Sequence, residues 1–438
     1  MEPRLRNRYA ILVKQHVHTA GKLNAGPSAP LDENAAMAAT QAAWRFLHNE
    51  RVTLPLLAEP LHHVARQWRT DHPNAWGLIV HDWSALSYPT HAGKKDRKSQ
   101  GSPHSQGYDL GTLLLVDGRN GDPLTPLEME LTTTQAVYST RTPPPDRADS
   151  RLDNVLPAMQ SVARLGLGPQ LVHVIDREAD SLAHYRQWQA DGRCFLVRGD
   201  DNRLVRWQDQ ELPLVEIQRR LQAQEHFQCS RDVVYRGQRA VQHVAETTVL
   251  LDRPAWRCRR RGDHVVNERV PGEPITLRLI LSRVCDEQGK TVAVWYLFSN
   301  VPAEVPAETL ALWYYWRWRI ESFFKLLKSA GQAVEQWQQE TGAAIAKRLL
   351  VAAMACVVVW KLERASASEA ISFRAFLVRL SGRQMKHRKT HTAPSILAGL
   401  WVYLAMLDAL NLYSVEELQA MKIHLKLTPN NTGQPAPP

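Results

Sequence analysis

Two apolar runs that each end in aspartate constrain this chain more than any other feature. Residues 76–82 (WGLIVHD) and 171–176 (LVHVID) read as buried strands closed by the carboxylates Asp82 and Asp176. A third acid, Glu321, lies in a stretch with helical periodicity, residues 314–328. The acids stand 94 and 145 residues apart, so only a tertiary fold can bring them together. Three acidic oxygen donors at one point suit a hard divalent cation such as Mg2+. Paired metals of that kind activate water or a hydroxyl and stabilise the leaving oxygen in phosphodiester cleavage.

The charge balance fits a polyanionic substrate. Lysines and arginines number 54 against 44 acids, a net charge of +10, which attracts phosphate backbones over a distance. An ordinary solvated basic surface would give the same number. A composition of 44% hydrophobic and 22% charged residues excludes a disordered chain. The cysteines, Cys194, Cys229, Cys258, Cys285 and Cys356, contain no C-x-x-C pair and read as reduced thiols. The start of the chain is polar and basic. The longest apolar runs, residues 349–360 and 396–407, are shorter than a bilayer requires. The expectation is a cytoplasmic protein without a membrane partner.

The pattern divides the chain into five parts. Residues 1–70 read as a helical N-terminal region, with Asn34 as a helix cap and Arg45, Arg51, Arg66 and Arg69 as candidate DNA contacts. A helical cap on the next domain is the alternative. Residues 71–201 read as β-β-β-α-β-α-β, the order of an RNase H-like core. That fold would be an α/β, mixed five-stranded sheet with helices, and Asp82 and Asp176 would close its first and fourth strands. Residues 202–301 are β-rich and read as an insertion domain. Arg253, Arg257, Arg259, Arg260 and Arg261 within it are either phosphate contacts or a solvated hairpin tip. Residues 302–365 complete the core with the helix of Glu321. Residues 366–438 read as helices, a basic run at Arg383, Lys386, His387, Arg388 and Lys389, and a disordered Pro-rich tail.

Residues 314–328 carry the most information. With Tyr314 at zero and roughly 100° per residue, Arg317 falls near 300°, Lys328 near 320° and Glu321 near 340°. Ile320, Phe323 and Leu327 take the opposite, apolar side. An i,i+4 salt bridge between Arg317 and Glu321 would explain two of these residues. A carboxylate for metal, beside a phenol, a guanidinium and an ammonium for phosphate, explains all four.

On these residues the chain resembles bacterial insertion-sequence transposases of the DDE class, specifically the insertion sequence 4 family. Tyr314, Arg317, Glu321 and Lys328 match that family's Tyr-x2-Arg-x3-Glu-x6-Lys signature. Asp176 opens an intact D-R-E-A-D motif, and the segment H-D-W-S-A-L-S-Y around Asp82 resembles the first-acid strand. The resemblance covers roughly residues 40–421. It implies cut-and-paste transposition through a DNA hairpin, with two Mg2+ (or Mn2+) ions on Asp82, Asp176 and Glu321. It further implies phosphate contacts at Tyr314, Arg317 and Lys328, and a DNA contact at Arg198. Trp295 and Trp318 would flank a flipped base, a role that needs a flat apolar partner; core packing would equally explain both. The implied partners are double-stranded DNA, as inverted-repeat ends and target, and a second copy of the chain. The C-terminal helices, with Val402, Leu404, Met406 and Leu407, resemble the region where relatives dimerise, and core packing explains them equally well. A binding protein that pairs ends without cutting, or an RNase H-like nuclease, are the rival readings.

Overall fold

The computed structural model describes residues 1–18, 33–100, 105–145, 150–261, 264–385 and 390–424. The chain is mixed α/β, built on one large mixed sheet. Its strands are β1 (Gly77–Ser87), β2 (Gln106–Asp117), β3 (Pro123–Thr132), β4 (Leu171–Ile175), β5 (Cys194–Arg198), β6 (Gln238–Leu251), β7 (Ile275–Asp286) and β8 (Thr291–Ser299). They lie in the order β3-β2-β1-β4-β5-β8-β7-β6, with short strands at both margins. β4 runs parallel to both β1 and β5, and the other neighbours in this series are antiparallel.

The first strand is longer than its sequence pattern indicates. β1 continues through Trp83 to Ser87, paired residue for residue with β2, so Asp82 stands in mid-strand and does not close it. Asp82 ends the apolar run because β1 is only partly covered from there to Ala85, and the core resumes at Leu86 while the hydrogen-bond ladder continues throughout. The strands of residues 202–301 also differ from a self-contained unit. β8 pairs with β5, so β7 and β6 extend the same sheet. A helix, Leu214–Ala223, buries Leu214, Ile217 and Leu221 beside them.

A separate hairpin, Ala255–Arg261 with His264–Val270, carries the arginine cluster. Arg253 pairs with Glu211, and Arg257 pairs with Asp153, so two of its cations are met by protein carboxylates. The side chains of Arg259, Arg260 and Arg261 lie outside the described residues. So do that of Asn34, the run Lys386–Lys389, Cys258 and the Pro-rich tail.

One face of the sheet is covered by the helix Gly342–Arg364, which is apolar on nearly every side and therefore sits in the core. Ile345, Leu349, Val357 and Val359 are fully or almost fully buried there. Each such side chain is worth about 1.5–3 kcal/mol. A helix that the polar start of the chain conceals, Pro3–His18, packs on this one. His16 is buried against Gln332 and Trp337, and His18 pairs with Asp408 at 2.6 Å. The opposite face is covered by Val155–Ala163 and Leu182–Ala190.

Helices Gly342–Arg364 and Ala393–Leu412 are both long and apolar enough to cross a membrane by length and composition alone. The twelve-residue runs understated them because each helix continues past its run, through residues 342–348 and 361–364 in the first and 393–395 and 408–412 in the second. Protein covers 78% of the most apolar stretch of the first, which marks a core helix, and 28% of the second.

Candidate active site

The register of two parallel strands places the aspartates side by side. Leu78 aligns with Val172 and Val80 with Val174 across β1 and β4. Continued by one more step on the same face, that register sets Asp82 opposite Asp176. All four leading side chains, Leu78, Val80, Val172 and Val174, face the core beneath the helical layer. The pairing of β4 with β5, continued likewise from Val174 and Leu196, adds Arg198 to the row. Beyond it, Arg198 pairs with Leu297 of β8, and Trp295 lies on the same face as Leu297. Side-chain alternation along four strands has thus gathered one acidic and aromatic surface.

Residues 314–328 close over that surface, but not as one helix. Ala307–Trp316 and Trp318–Leu327 meet at Arg317, where Arg317 N–H donates to Tyr314 O and Ile320 N–H to Arg317 O. These i→i−3 bonds tighten the turn locally. No Pro, Gly or cap residue marks the joint, so the pattern alone reads as a continuous helix. The turn after β2 braces it. Trp313 Nε1 donates to Gly118 O, and Trp316 lies over Gly121, whose φ of +74° and lack of Cβ admit the ring. Any Cβ there would come within 2.5 Å of Trp316. Ile320, Phe323 and Leu327 are fully buried, as their spacing indicates.

Arg317 is the centre of the site. Its side chain is 6% exposed and touches all three acids. Nη1 lies 3.4 Å from Asp82 Oδ2, and Nη2 lies 3.2 Å from Asp176 Oδ2 and 3.3 Å from Glu321 Oε1. Tyr314 donates its hydroxyl to the other oxygen of Asp176 at 2.9 Å. Lys328 turns instead to the carbonyl of Ala85 on β1, with Glu335 at 3.6 Å. Trp295 is 9% exposed and packed against Tyr314 and Tyr235, whereas Trp318 is 50% exposed. Among the described residues no group of three His, Cys, Asp or Glu side chains is arranged to hold an ion by itself. The three acids meet on the guanidinium.

Their electrostatics differ. Burial raises the Asp82 carboxyl above its ordinary value, against the Trp83 N–H and Arg317. Burial also acts upward on Asp176, but Arg317, the Arg177 N–H and the Tyr314 hydroxyl outweigh it and hold that carboxyl low. Burial raises Glu321 against Arg317. Burial and the neighbouring Asp176 push the Tyr314 phenol far up, which keeps it a hydrogen-bond donor.

A family model described as Transposase DDE domain matches residues 77–358. That span begins at the first residue of β1, ends within the central helix and contains all three acids. The chain belongs to the DDE transposase family.

Two further residues of this transposase act on the site. Glu178, inside the D-R-E-A-D motif, is raised by burial and lies close enough to Asp82 and Asp176 to be raised by both. Arg151 opposes them at Asp82 and Glu178, and it pairs with Asp109 at 3.4 Å. The motif itself points to Glu178, whereas nothing in the sequence marks Arg151. Beside them a groove of about 570 Å³ is lined by Arg177, Glu178, Asp200, Asn202, Arg203 and Arg253.

Proposed function

We propose that this transposase performs cut-and-paste transposition of an insertion sequence through a DNA hairpin, as an insertion sequence 4 family member. The strand order β3-β2-β1-β4-β5 supports an RNase H-like core with the 202–301 segment inserted into it. The observation that carries the reading is the meeting of Asp82, Asp176 and Glu321 around one cation, with Tyr314 in contact.

The donor set suits hard cations: three carboxylates within 3.4 Å of one guanidinium, without thiolate or imidazole. Asp82, Asp176 and Glu321 would hold Mg2+ or Mn2+, two ions by family resemblance. Bound there, the metal would lower the pKa of water and stabilise the departing oxygen. Arg317 and Lys328 would grip the phosphate beside the scissile bond. Tyr314 would orient Asp176 and touch that phosphate; it is not a nucleophile. Water cuts one strand, the freed 3′-OH attacks the other to form the hairpin, and a second water opens it before joining to target DNA.

Trp318 offers an open face to an unstacked base. Trp295 can do so only after Tyr235 or Tyr314 gives way. Arg198 and the groove at Arg177 and Arg253 would guide the flanking duplex. The exposed Val402, Met406 and Leu407 on helix Ala393–Leu412 support a homodimer in the synaptic complex.

The test is a supercoiled plasmid carrying the inverted repeats that bracket the reading frame, incubated with the protein and Mg2+. Nicks at the repeat ends, followed by hairpin-ended fragments on denaturing gels, are expected, with none from Asp176→Ala. End binding without cleavage at any divalent-ion concentration would instead establish a DNA-pairing protein.

A further inference from the structure

Arg317 is held unlike a structural arginine. Arg203, in the same molecule, clamps one acid: Nε to Asp180 Oδ2 at 3.1 Å, and Nη2 to Asp180 Oδ1 and O at 2.6 Å each. Arg317 instead shares two nitrogens among three carboxylates, and every contact is 3.2 Å or longer. Its Nε is buried and has no hydrogen-bond partner among the described residues. Charge-assisted N–H···O bonds are ordinarily about 2.7–2.9 Å, and a guanidinium has five donors to satisfy. The side chain therefore neutralises the cluster while most of its hydrogen-bonding capacity is poorly used.

Three carboxylates this close repel one another and need a cation to stay ionised together. A guanidinium supplies the charge at about 3.3 Å, whereas Mg2+ draws oxygens in to about 2.0–2.1 Å. The acids cannot contract onto an ion while the guanidinium stands between them, so the two cations exclude each other. A phosphate diester, by contrast, accepts the planar fork of Arg in two parallel hydrogen bonds.

We propose that Arg317 is a resident cation of the acid cluster, displaced by divalent metal and drawn off by a DNA phosphate, so that metal and DNA load cooperatively. The proposal rests on the reading of the three acids as metal carriers. The nucleic acid takes Arg317, the ion takes the acids, and each binding event removes the obstacle to the other. By linkage the gain is the same whichever binds first.

The experiment is Mn2+ binding to the full chain, read from the electron paramagnetic resonance of free ion, with and without an end-sequence duplex. Arg317→Gln is expected to bind Mn2+ roughly tenfold tighter than wild type in the absence of DNA, within the usual range of coupling between sites. Arg317→Lys, which keeps the charge, should stay close to wild type. Wild type should gain affinity when the duplex is added, and Arg317→Gln should gain none. An Arg317→Gln titration identical to wild type, or an undiminished effect of DNA on it, overturns the exchange. Should Arg317→Gln not remain folded without ions, the wild-type titration decides alone: no gain on adding duplex overturns the proposal. A wild type that neither binds Mn2+ nor cuts DNA removes the metal reading and this one together. One that does both, with Arg317→Gln unchanged, removes only the exchange.

Discussion

His81 and Asp82 are neighbours on β1, and their side chains leave the sheet on opposite faces; His173 stands likewise on the far face of β4 from Asp176. On one face the two imidazoles are buried and share a hydrogen bond of 2.8 Å. Burial pushes His81 down to about 3 and His173 well below its ordinary value, so the pair is neutral and one ring nitrogen of each answers the other. On the other face the two carboxyls meet Arg317 from a different part of the chain. The same two strands thus carry a polar pair whose members bond each other and one that recruits cations. The second arrangement is the one open to chemistry, because a charge held by an exchangeable partner can be offered to a ligand.

Neutralising each neighbour in turn separates the two faces. Asp82→Asn preserves shape and is expected to lower strand cleavage by about 10²–10³-fold, the scale set by losing one preorganised charge stabiliser. The unfolding midpoint should move little, since burial already works against the charged form of Asp82. Plasmid nicking rates beside denaturant titrations would show it. Cleavage within tenfold of wild type would mean that the acidic face is structural, like the imidazole face.

Tyr314→Phe should have a smaller effect. It removes the hydrogen bond to Asp176, and such a bond to a charged group is worth about 1.5–3 kcal/mol. Cleavage should fall roughly tenfold to a hundredfold, and no protein–DNA adduct should be trapped on denaturing gels. Loss of all cleavage with end binding and phosphate positioning intact would make Tyr314 part of the reaction itself.

The sequence indicated which residues the fold brings together better than how they are held. Asp82 and Asp176 were legible because an apolar run ending in a charge marks where a buried strand face reaches solvent. Their alignment was legible only in retrospect: the offset in the parallel register of β1 and β4 equals their separation along the chain. Arg317 reads as one member of a helical stripe. Its place at the centre depends on a tightened turn that no residue in WYYWRWRI announces, and on Trp316 seated over Gly121. Lys328 left the stripe for the Ala85 carbonyl because the helix ends there and the chain turns back toward β1. The helix Pro3–His18 was hidden because its buried side is narrow and partly polar, with His16 answered by Gln332 from over three hundred residues away. Such long-range pairings leave no local periodicity to read.

The imidazole face gives the smallest effects on catalysis and the cleanest on stability. In the folded protein His81 takes up a proton only near pH 3, whereas in the unfolded chain it does so near 6.5. Between those values the unfolded state binds more protons, so stability is complete above about pH 6.5 and declines as the pH falls. The slope is about 1.4 kcal/mol per pH unit for each such histidine. His16, buried and held down to about 3, acts in the same direction, as does His173, which burial lowers well below its ordinary value. Asp176 contributes in a lower window: its carboxyl is held low, so its share is lost only as the pH falls past the ordinary carboxylate range, while Asp82 and Glu321 oppose it there. His81→Leu alone strands His173 and should cost about 1–3 kcal/mol at pH 7. The double substitution His81→Leu/His173→Leu should recover most of that, because both partners are then apolar, and should lower the slope between pH 6.5 and 4 to the share that His16 leaves. Cleavage per folded molecule should remain at the wild-type rate in both. Urea titrations at half-unit pH steps measure the slope, and a double variant as acid-sensitive as wild type would place the protonation elsewhere. A double variant that folds well but no longer cuts would show that the two faces of β1 and β4 are not independent, since the core between them would then transmit the polar pair's geometry to Asp82 and Asp176.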